Sequence, residues 1–406
     1  MTAPANRMAM ASPVAGTQAG PAADPSTDAG LVPTAPSAYA WEATSEQVAG
    51  RYGVSLDRIV RFDLNTSPTP PEFATRLLAS GPFETSLSEY PPSDYRALTE
   101  AAAERYGVGR DEVLVGAGAD EILDMVARAF LPPGGSAVIP MPSYAMYRVT
   151  TEQRTARVVA VPRLGADVGY ALDLPATRAA ARSAQLVWLC SPNNPTALAE
   201  PDGAIATLLD GLADDAAADG RIPPAVCLDE AYAEFVGTTL LPLRVRHPRL
   251  IVVRTLSKAY ALAGLRVGFA LALRETLAVI EPYRPPGSVS TVSVSLATAA
   301  LRERPELEAN IARLTVERER FTGTLRAAGW TPGPSVTNFL LVGLGSAARA
   351  AAAAETLLRE GLVPRTFPAT HPLADHLRLT VRTPADNDRL AAVAAAFEAT
   401  TPRTVP

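Results

Sequence analysis

Residues 250–269 read LIVVRTLSKAYALAGLRVGF. An aliphatic run, Leu250 to Val253, gives way to a polar turn, and the turn carries Lys258. Lys258 is the only lysine among the 37 lysines and arginines of the chain. Arginine has taken over wherever a positive charge on a flexible stem suffices. It cannot take over where the chemistry needs a compact amine that sheds its proton and attacks a carbonyl, because guanidinium stays charged. Ala259, Ala261, Ala263 and Gly264 follow the lysine, and such small residues are not the usual setting of a surface lysine. A reactive lysine just past the end of a buried strand is the expectation from which the rest is read.

The same pattern recurs on either side of this stretch. VLVG (113–116), AVIP (137–140), RVVAVP (157–162), LVWLC (186–190) and AVCLD (225–229) are short, nearly continuous apolar runs bounded by turn residues. Helical periodicity separates them, as over 95–105 and 120–131. Strands that are apolar on both sides belong to a mostly parallel sheet covered by helices on both faces. An α/β, doubly wound large domain is therefore expected over residues 85–295. From 302 to 328 a long helical stretch leads away, followed by strand (NFLLVGL), helix, strand (HLRLTV) and helix. This predicts a smaller α+β domain over 296–406, and 406 residues are more than one core of ordinary size accommodates. Residues 41–84, with a helix over 45–52 and an extended RIVRFDLN, read as an arm packing on the small domain or on a dimer partner. Residues 1–40 are Ala, Pro, Thr, Ser and Gly with almost no charge, and read as a disordered tail without the form of a signal peptide.

Composition narrows the function classes. A net charge of −5, with acids and bases interspersed, offers no basic patch for nucleic acid. No apolar run approaches the ~20 residues needed to cross a bilayer. Cys190 and Cys227 both sit in apolar runs and read as a buried, reduced pair in a cytoplasmic protein. His247, His371 and His376 lack metal-ligand spacing, so no metal is expected.

In a parallel sheet, ligands collect outside the carboxyl ends of the strands, and the polar residues of this chain follow the apolar runs in that position. After VLVG comes GAGADE, a glycine turn into a helix start whose free N–H groups can hold a phosphate, although many such turns are only turns. After LVWLC comes SPNNPT, where Asn194 can bond a ring hydroxyl or simply make an Asn-Pro turn. After AVCL comes DEAYAEF. Asp229 there can pair with a protonated pyridine nitrogen, or cap a helix, and Tyr232 can reach a phenolic oxygen. Thr255, Ser257 and Arg266 flank Lys258, and an arginine can grip phosphate with two parallel bonds. Taken together these supply an amine, a pyridine partner, phenol partners and phosphate anchors. Those are the parts a pyridoxal phosphate site needs.

GAGADEIL (116–123), PSYAMY (142–147), SPNNPT (191–196), DEAYAEF (229–235) and RTLSKAYALAGLRVGF (254–269) resemble the fold-type-I aminotransferases, and most closely the histidinol-phosphate aminotransferase family. The resemblance runs from about Phe62 to the C-terminus. It implies Lys258 as the Schiff-base lysine, Asp229 on the pyridine nitrogen, Asn194 and Tyr232 on the ring hydroxyl, and Tyr144 stacked on the ring. It implies phosphate held by the Ala119 and Asp120 backbone, Thr255 or Ser257, and Arg266. Tyr90 matches a tyrosine that reaches the phosphate of the neighbouring subunit, which implies a homodimer. Arg378 and Arg365 match substrate-binding arginines. The implied reaction moves an amino group from an amino donor to a 2-oxo acid such as 2-oxoglutarate. A decarboxylase of the threonine-phosphate type and an aminotransferase of specialised metabolism share these motifs. A transcription regulator with an aminotransferase-like domain would need an upstream DNA-binding domain, which residues 1–45 are too short and too poor in basic residues to supply. Three departures from the family pattern fall at the substrate end: NTSP at 65–68, PPGSVS at 285–290 without the usual aromatic, and Arg382 in place of a glycine.

Overall fold

The computed structural model describes residues 38–81, 83 and 86–401. Most of the segment read as a tail, residues 1–37, therefore lies outside the described residues. Tyr39 and Ala40, at the end of that segment, take part in the cleft described below.

The strands in chain order are β1 Val60–Arg61, β2 Val113–Gly116, β3 Ser136–Met141, β4 Arg157–Pro162, β5 Leu186–Cys190, β6 Ala225–Asp229, β7 Leu250–Thr255, β8 Gly268–Leu271, β9 Thr331–Pro332, β10 Phe339–Gly343, β11 Leu362–Val363 and β12 His376–Thr380. A seven-stranded sheet has the order β2-β8-β7-β6-β5-β3-β4. From β7 to β4 every pairing is parallel, while β8 runs antiparallel to both β7 and β2. Two reversals restore the direction, so β2 points the same way as β7. The carboxyl ends of β2, β5, β6 and β7 thus share one edge, and β8 contributes its start, Gly268, to that edge.

The sequence runs named above omit β8. Its four residues follow the lysine turn directly, and an antiparallel return needs no crossover helix. Along β5, Leu186, Trp188 and Cys190 point into one core and Val187 and Leu189 into the other. Both faces are dry, which is why the run is apolar throughout rather than alternating. The helices Gly118–Phe130, Ala145–Gln153 and Arg274–Ile280 cover one face, and Arg96–Tyr106, Ala204–Ala218 and Thr291–Arg302 cover the other.

The helix expected over 302–328 forms as Arg304–Ala327, and a separate helix, Thr291–Arg302, precedes it. Pro305 at the start of Arg304–Ala327 explains the break, since proline is accepted in a first turn and not in a helix interior. The preceding helix begins TVSVS, an alternation that resembles a strand, and is started by Ser290, whose side chain accepts from the Ser293 N–H. β9, β10 and β12 form a second, antiparallel sheet. Its core joins Phe62, Phe321, Trp330, Leu340, Leu357, Leu379 and Phe397. β1 pairs in parallel with β11, which ties residues 60–61 to this second sheet's surroundings. Among the described residues no helix is long and apolar enough to cross a membrane. Cys190 and Cys227 are buried and free.

One contact sets the geometry of the shared edge. A Cβ on Gly268 would stand 2.5 Å from the Gly118 carbonyl carbon and 2.7 Å from the Ala119 nitrogen. The turn after β2 lies directly on the start of β8 because Gly268 has no side chain. Gly268→Ala should force this turn outward and destabilise the chain by about 1–3 kcal/mol, the usual range for overpacking. Urea unfolding checks this, and an unchanged midpoint would contradict it.

Candidate active site

A cavity of about 680 Å³ opens at the edge where β2, β5, β6 and β7 end. Asp229 is the last residue of β6 and only 4% exposed. Its Oδ2 accepts from the Tyr147 hydroxyl at 2.8 Å and its Oδ1 from the Ala231 N–H at 2.9 Å. Burial pushes its carboxyl up to about 6, against the pull of those two bonds and of Lys258. These two donors are neutral. A buried carboxylate served by neutral donors is suited to a cation arriving from the cavity.

Lys258 follows β7. Its Nζ donates to the Leu64 carbonyl at 3.3 Å and lies 5.9 Å from the centre of the Tyr232 ring. Burial lowers its ammonium from the ordinary value to about 8, helped by Arg378 and Arg266 and opposed by Asp120 and Asp229. The side chain keeps partial exposure, and the cavity is where it is exposed. Tyr232 accepts from Asn65 Nδ2 at 3.0 Å, and burial raises its phenol so that it stays neutral.

At the end of β2 the chain turns through Gly118 into its helix. Gly118 has φ +83°, a backbone conformation that favours glycine, and a Cβ there would stand 2.5 Å from Arg266 Nη2 and push that guanidinium aside. The turn presents Ala119 and Asp120 at the helix start, where backbone N–H groups lack helical partners. Arg266 reaches Asp120 Oδ2 at 3.1 Å across this cradle, and Tyr144 donates to Asp120 Oδ1 at 3.0 Å. Thr255 Oγ1 lies 2.9 Å from Ser257 Oγ and 3.1 Å from the Val267 carbonyl. Glycine-lined backbone, two hydroxyls and a guanidinium form a donor set for a phosphate-sized anion.

The opposite wall is cationic. Arg378 on β12 is buried; its Nη1 donates to Asn194 Oδ1 at 2.6 Å and its Nη2 to the Asp63 carbonyl, while its Nε has no partner. Burial lowers its pKa. Its backbone pairs with that of Arg365, whose Nη1 donates to the Ala40 carbonyl at 2.8 Å and whose guanidinium stacks 5.3 Å from the Tyr39 ring centre.

Ala119, Asp120, Tyr144, Asn194, Asp229, Tyr232, Thr255, Ser257, Lys258, Arg266, Arg365 and Arg378 thus all line one cavity. Tyr90 does not: it is 90% exposed, outside the cavity, with its ring beside Gly287. Two departures noted in the sequence also lie elsewhere. Arg382 does not itself line the cavity, although its Nη1 donates at 3.4 Å to the carbonyl of Thr66, which does. The 285–290 loop likewise contributes nothing to this cavity. Sequence reading missed Tyr147, which lies three residues past Tyr144 in PSYAMY, and the roles of Asn65, Tyr39 and Trp41 at the cavity. Asn65 adopts φ +53°, a conformation asparagine tolerates better than most residues, and its place in the turn-rich NTSP was the available signal.

A doubly wound sheet with a lysine, a carboxylate and an anion cradle at its carboxyl edge defines a class, and residues 65–393 match the family described as aminotransferase class I and II. The chain belongs to that family, with the fold of the fold-type-I transaminases. It is 34% identical over 360 residues to a histidinol-phosphate aminotransferase of Roseiflexus castenholzii, covering 85% of this chain and 91% of the relative. Another of that name, from Symbiobacterium thermophilum, is 35% identical over 341 residues, covering 83% and 90%. Among solved structures, the histidinol-phosphate aminotransferase of Sinorhizobium meliloti in complex with pyridoxal-5'-phosphate is similar, with a TM-score of 0.78 at 25% identity. That match covers 89% of this chain and 96% of the other.

The lone lysine makes its titration directly measurable. An amine-directed acylating reagent should modify Lys258 in the cofactor-free protein with a rate that rises through a midpoint near pH 8. Peptide mass spectrometry separates this product from the α-amino group. A midpoint near the ordinary lysine value of 10.5 would contradict the cavity electrostatics.

Proposed function

We propose that the chain is a pyridoxal-phosphate-dependent aminotransferase that takes its amino group from histidinol phosphate or a related anionic amine and passes it to a 2-oxo acid such as 2-oxoglutarate. The observation that carries this reading is the facing of Lys258, lowered to about 8, and buried Asp229 across one cavity. The residues present fit the cofactor: a carboxylate with neutral donors, a glycine cradle and a phenol-rich wall. When bound, pyridoxal phosphate supplies an aldehyde for the amine and an electron-withdrawing ring that acidifies the bond at the donor's Cα.

Asp229 would hold a proton on the ring nitrogen, and Asn194 and Tyr232 would bond the ring hydroxyl. Tyr144 would flank the ring. The Ala119 and Asp120 N–H groups, Thr255, Ser257 and Arg266 would hold the phosphate, with Arg266 released from Asp120. Lys258 would bind the cofactor between turnovers and, once freed, take the proton from the donor's Cα. A base with a pKa near the working pH does this best, and about 8 is well placed.

Arg378 and Arg365 would take the anionic group of the donor and then that of the acceptor. Desolvated guanidinium is costly unless an anion pairs with it, and Arg378 keeps an unpartnered Nε. The relatives' names supply the particular donor. Of the three departures, the 285–290 loop does not line this cavity and Arg382 meets it only through the Thr66 carbonyl, whereas Asn65 and Thr66 of NTSP are in its wall, which makes that stretch the place where donor selection would differ within the family. We also read the exposed Tyr90 and the adjoining Gly287 as parts of a homodimer face, from which Tyr90 reaches the partner's phosphate site, in a cytoplasmic enzyme.

Two experiments check this reading. Lys258→Arg should abolish turnover, and Asp229→Asn should hold the cofactor more weakly and, even when loaded at saturating pyridoxal phosphate, lose activity by orders of magnitude; a Lys258→Arg enzyme that turns over would contradict the assignment. In a half-reaction screen, the cofactor-loaded protein is mixed with histidinol phosphate or with a panel of amino acids while its visible absorbance is followed. Rapid change with histidinol phosphate is expected. Change only with another amine would assign a different donor, and release of carbon dioxide in place of a keto acid would indicate a decarboxylase.

A further inference from the structure

Tyr147 does not touch the cavity, yet it is the side chain bonded to Asp229. It lies on the helix Ala145–Gln153 and is completely buried. Its ring stacks on Trp188 of β5, with centres 5.4 Å apart and planes within 7°. The Tyr147 carbonyl accepts from Thr151 Oγ1 at 2.6 Å, and Thr151 Oγ1 in turn accepts from Trp188 Nε1 at 3.0 Å. Ring and backbone are both clamped, so the hydroxyl has one direction available to it. Burial and the neighbouring Asp229 raise the phenol well above its ordinary pKa, which leaves it a hydrogen-bond donor at any working pH. Tyr147 holds one carboxylate oxygen and the Ala231 N–H the other, which fixes the plane of the carboxylate.

We propose that Tyr147 is a positioning residue that keeps Asp229 ionised and aimed at the cavity, and so sets the lower pH at which the chain holds its cofactor. This rests on the reading that the cofactor's ring nitrogen meets Asp229. The physical argument is that desolvation favours the neutral carboxyl, and a hydrogen bond donated to the anion opposes it. The other groups facing Asp229 are Asp120 at the helix start after β2, Lys258 after β7, Cys190 on β5, Cys227 on β6 and Tyr232. Asp120 raises its pKa and Lys258 lowers it, while burial keeps the thiols and the phenol of Tyr232 neutral. None of these groups donates a hydrogen bond to Asp229 among the described residues, so none substitutes for Tyr147.

The sign follows directly. Asp229 titrates at about 6, and removing a donor to its anion moves that value upward. The ionised form, and with it cofactor affinity, is lost as pH falls through the carboxyl's pKa. Tyr147→Phe keeps the ring on Trp188 and removes only the hydroxyl. The test is the dissociation constant of pyridoxal phosphate from pH 5 to 8, for wild type, Tyr147→Phe and Thr151→Val. Thr151→Val loosens the same cluster without touching Asp229. Loss of one hydrogen bond to a charged group is worth about one pKa unit. Tyr147→Phe should therefore bind about fivefold more weakly than wild type at pH 6 and equally at pH 8. The acid limb of its kcat profile should also rise by about one unit, with KM for the donor unchanged. Thr151→Val should melt earlier and keep the wild-type pH dependence. Equal weakening of Tyr147→Phe at every pH, or a shift in Thr151→Val as well, would overturn the inference in favour of a purely structural role. Failure of the wild type to take up pyridoxal phosphate at all would refute the underlying reading, and this inference with it.

Discussion

A lysine amine becomes partly neutral near physiological pH when the protein strips water from it, and cations beside it push the same way. Lys258 meets both conditions, and the architecture is arranged around them. Parallel strands bring Asp229, Asn194 and the lysine turn to one edge, while the antiparallel return of β8 brings Arg266 to that edge from the opposite chain direction. The second sheet supplies Arg378, whose charge acts on the lysine more strongly than that of Arg266. Arg266 stands eight residues past Lys258, and that proximity in the chain already suggests that its charge acts on the amine. Arg378 was missed as a cause because it lies 120 positions further along the chain, on a strand whose approach to Lys258 only the fold decides.

The titrations of acid and base are drawn toward each other within this one cavity. Burial moves the Asp229 carboxyl up and the Lys258 ammonium down, so each is drawn toward its neutral form. Such opposed shifts in a cleft are characteristic of acid–base sites. The ion pair beneath the same strand ends behaves differently: Glu230 and Glu234 hold the Arg254 guanidinium more firmly charged, although burial raises Glu234. Those two glutamates belong to DEAYAEF, the motif that also holds Asp229. One short segment therefore both buttresses the sheet edge and presents the reactive carboxylate.

Much of the site was legible because strand-end chemistry leaves local marks. Apolar runs followed by GAGADE, SPNNPT, DEAYAEF and SKAY placed Ala119, Asp120, Asn194, Asp229, Tyr232, Ser257 and Lys258 at the cavity. What was not legible depended on distance in the chain. Tyr147 carries no mark beyond its spacing from Tyr144, and its partner is 82 residues away. Tyr39 stood in a segment whose composition suggested no structure, yet its ring meets Tyr144 at 6.2 Å and the Arg365 guanidinium at 5.3 Å. In the other direction, Arg382, four residues past Arg378, does not line the cavity and meets it only through the Thr66 carbonyl. β8 and the helix Thr291–Arg302 escaped because a four-residue run and a Val/Ser alternation are ambiguous by period alone.

The central claim is that the one lysine of the chain is the covalent attachment point for the cofactor. Borohydride reduction of the cofactor-loaded protein, followed by peptide mass mapping, tests it most directly. The account predicts one phosphopyridoxyl adduct, on the peptide that contains Lys258, and none in Lys258→Ala. An adduct on another peptide, or none in the wild type at saturating pyridoxal phosphate, would contradict it.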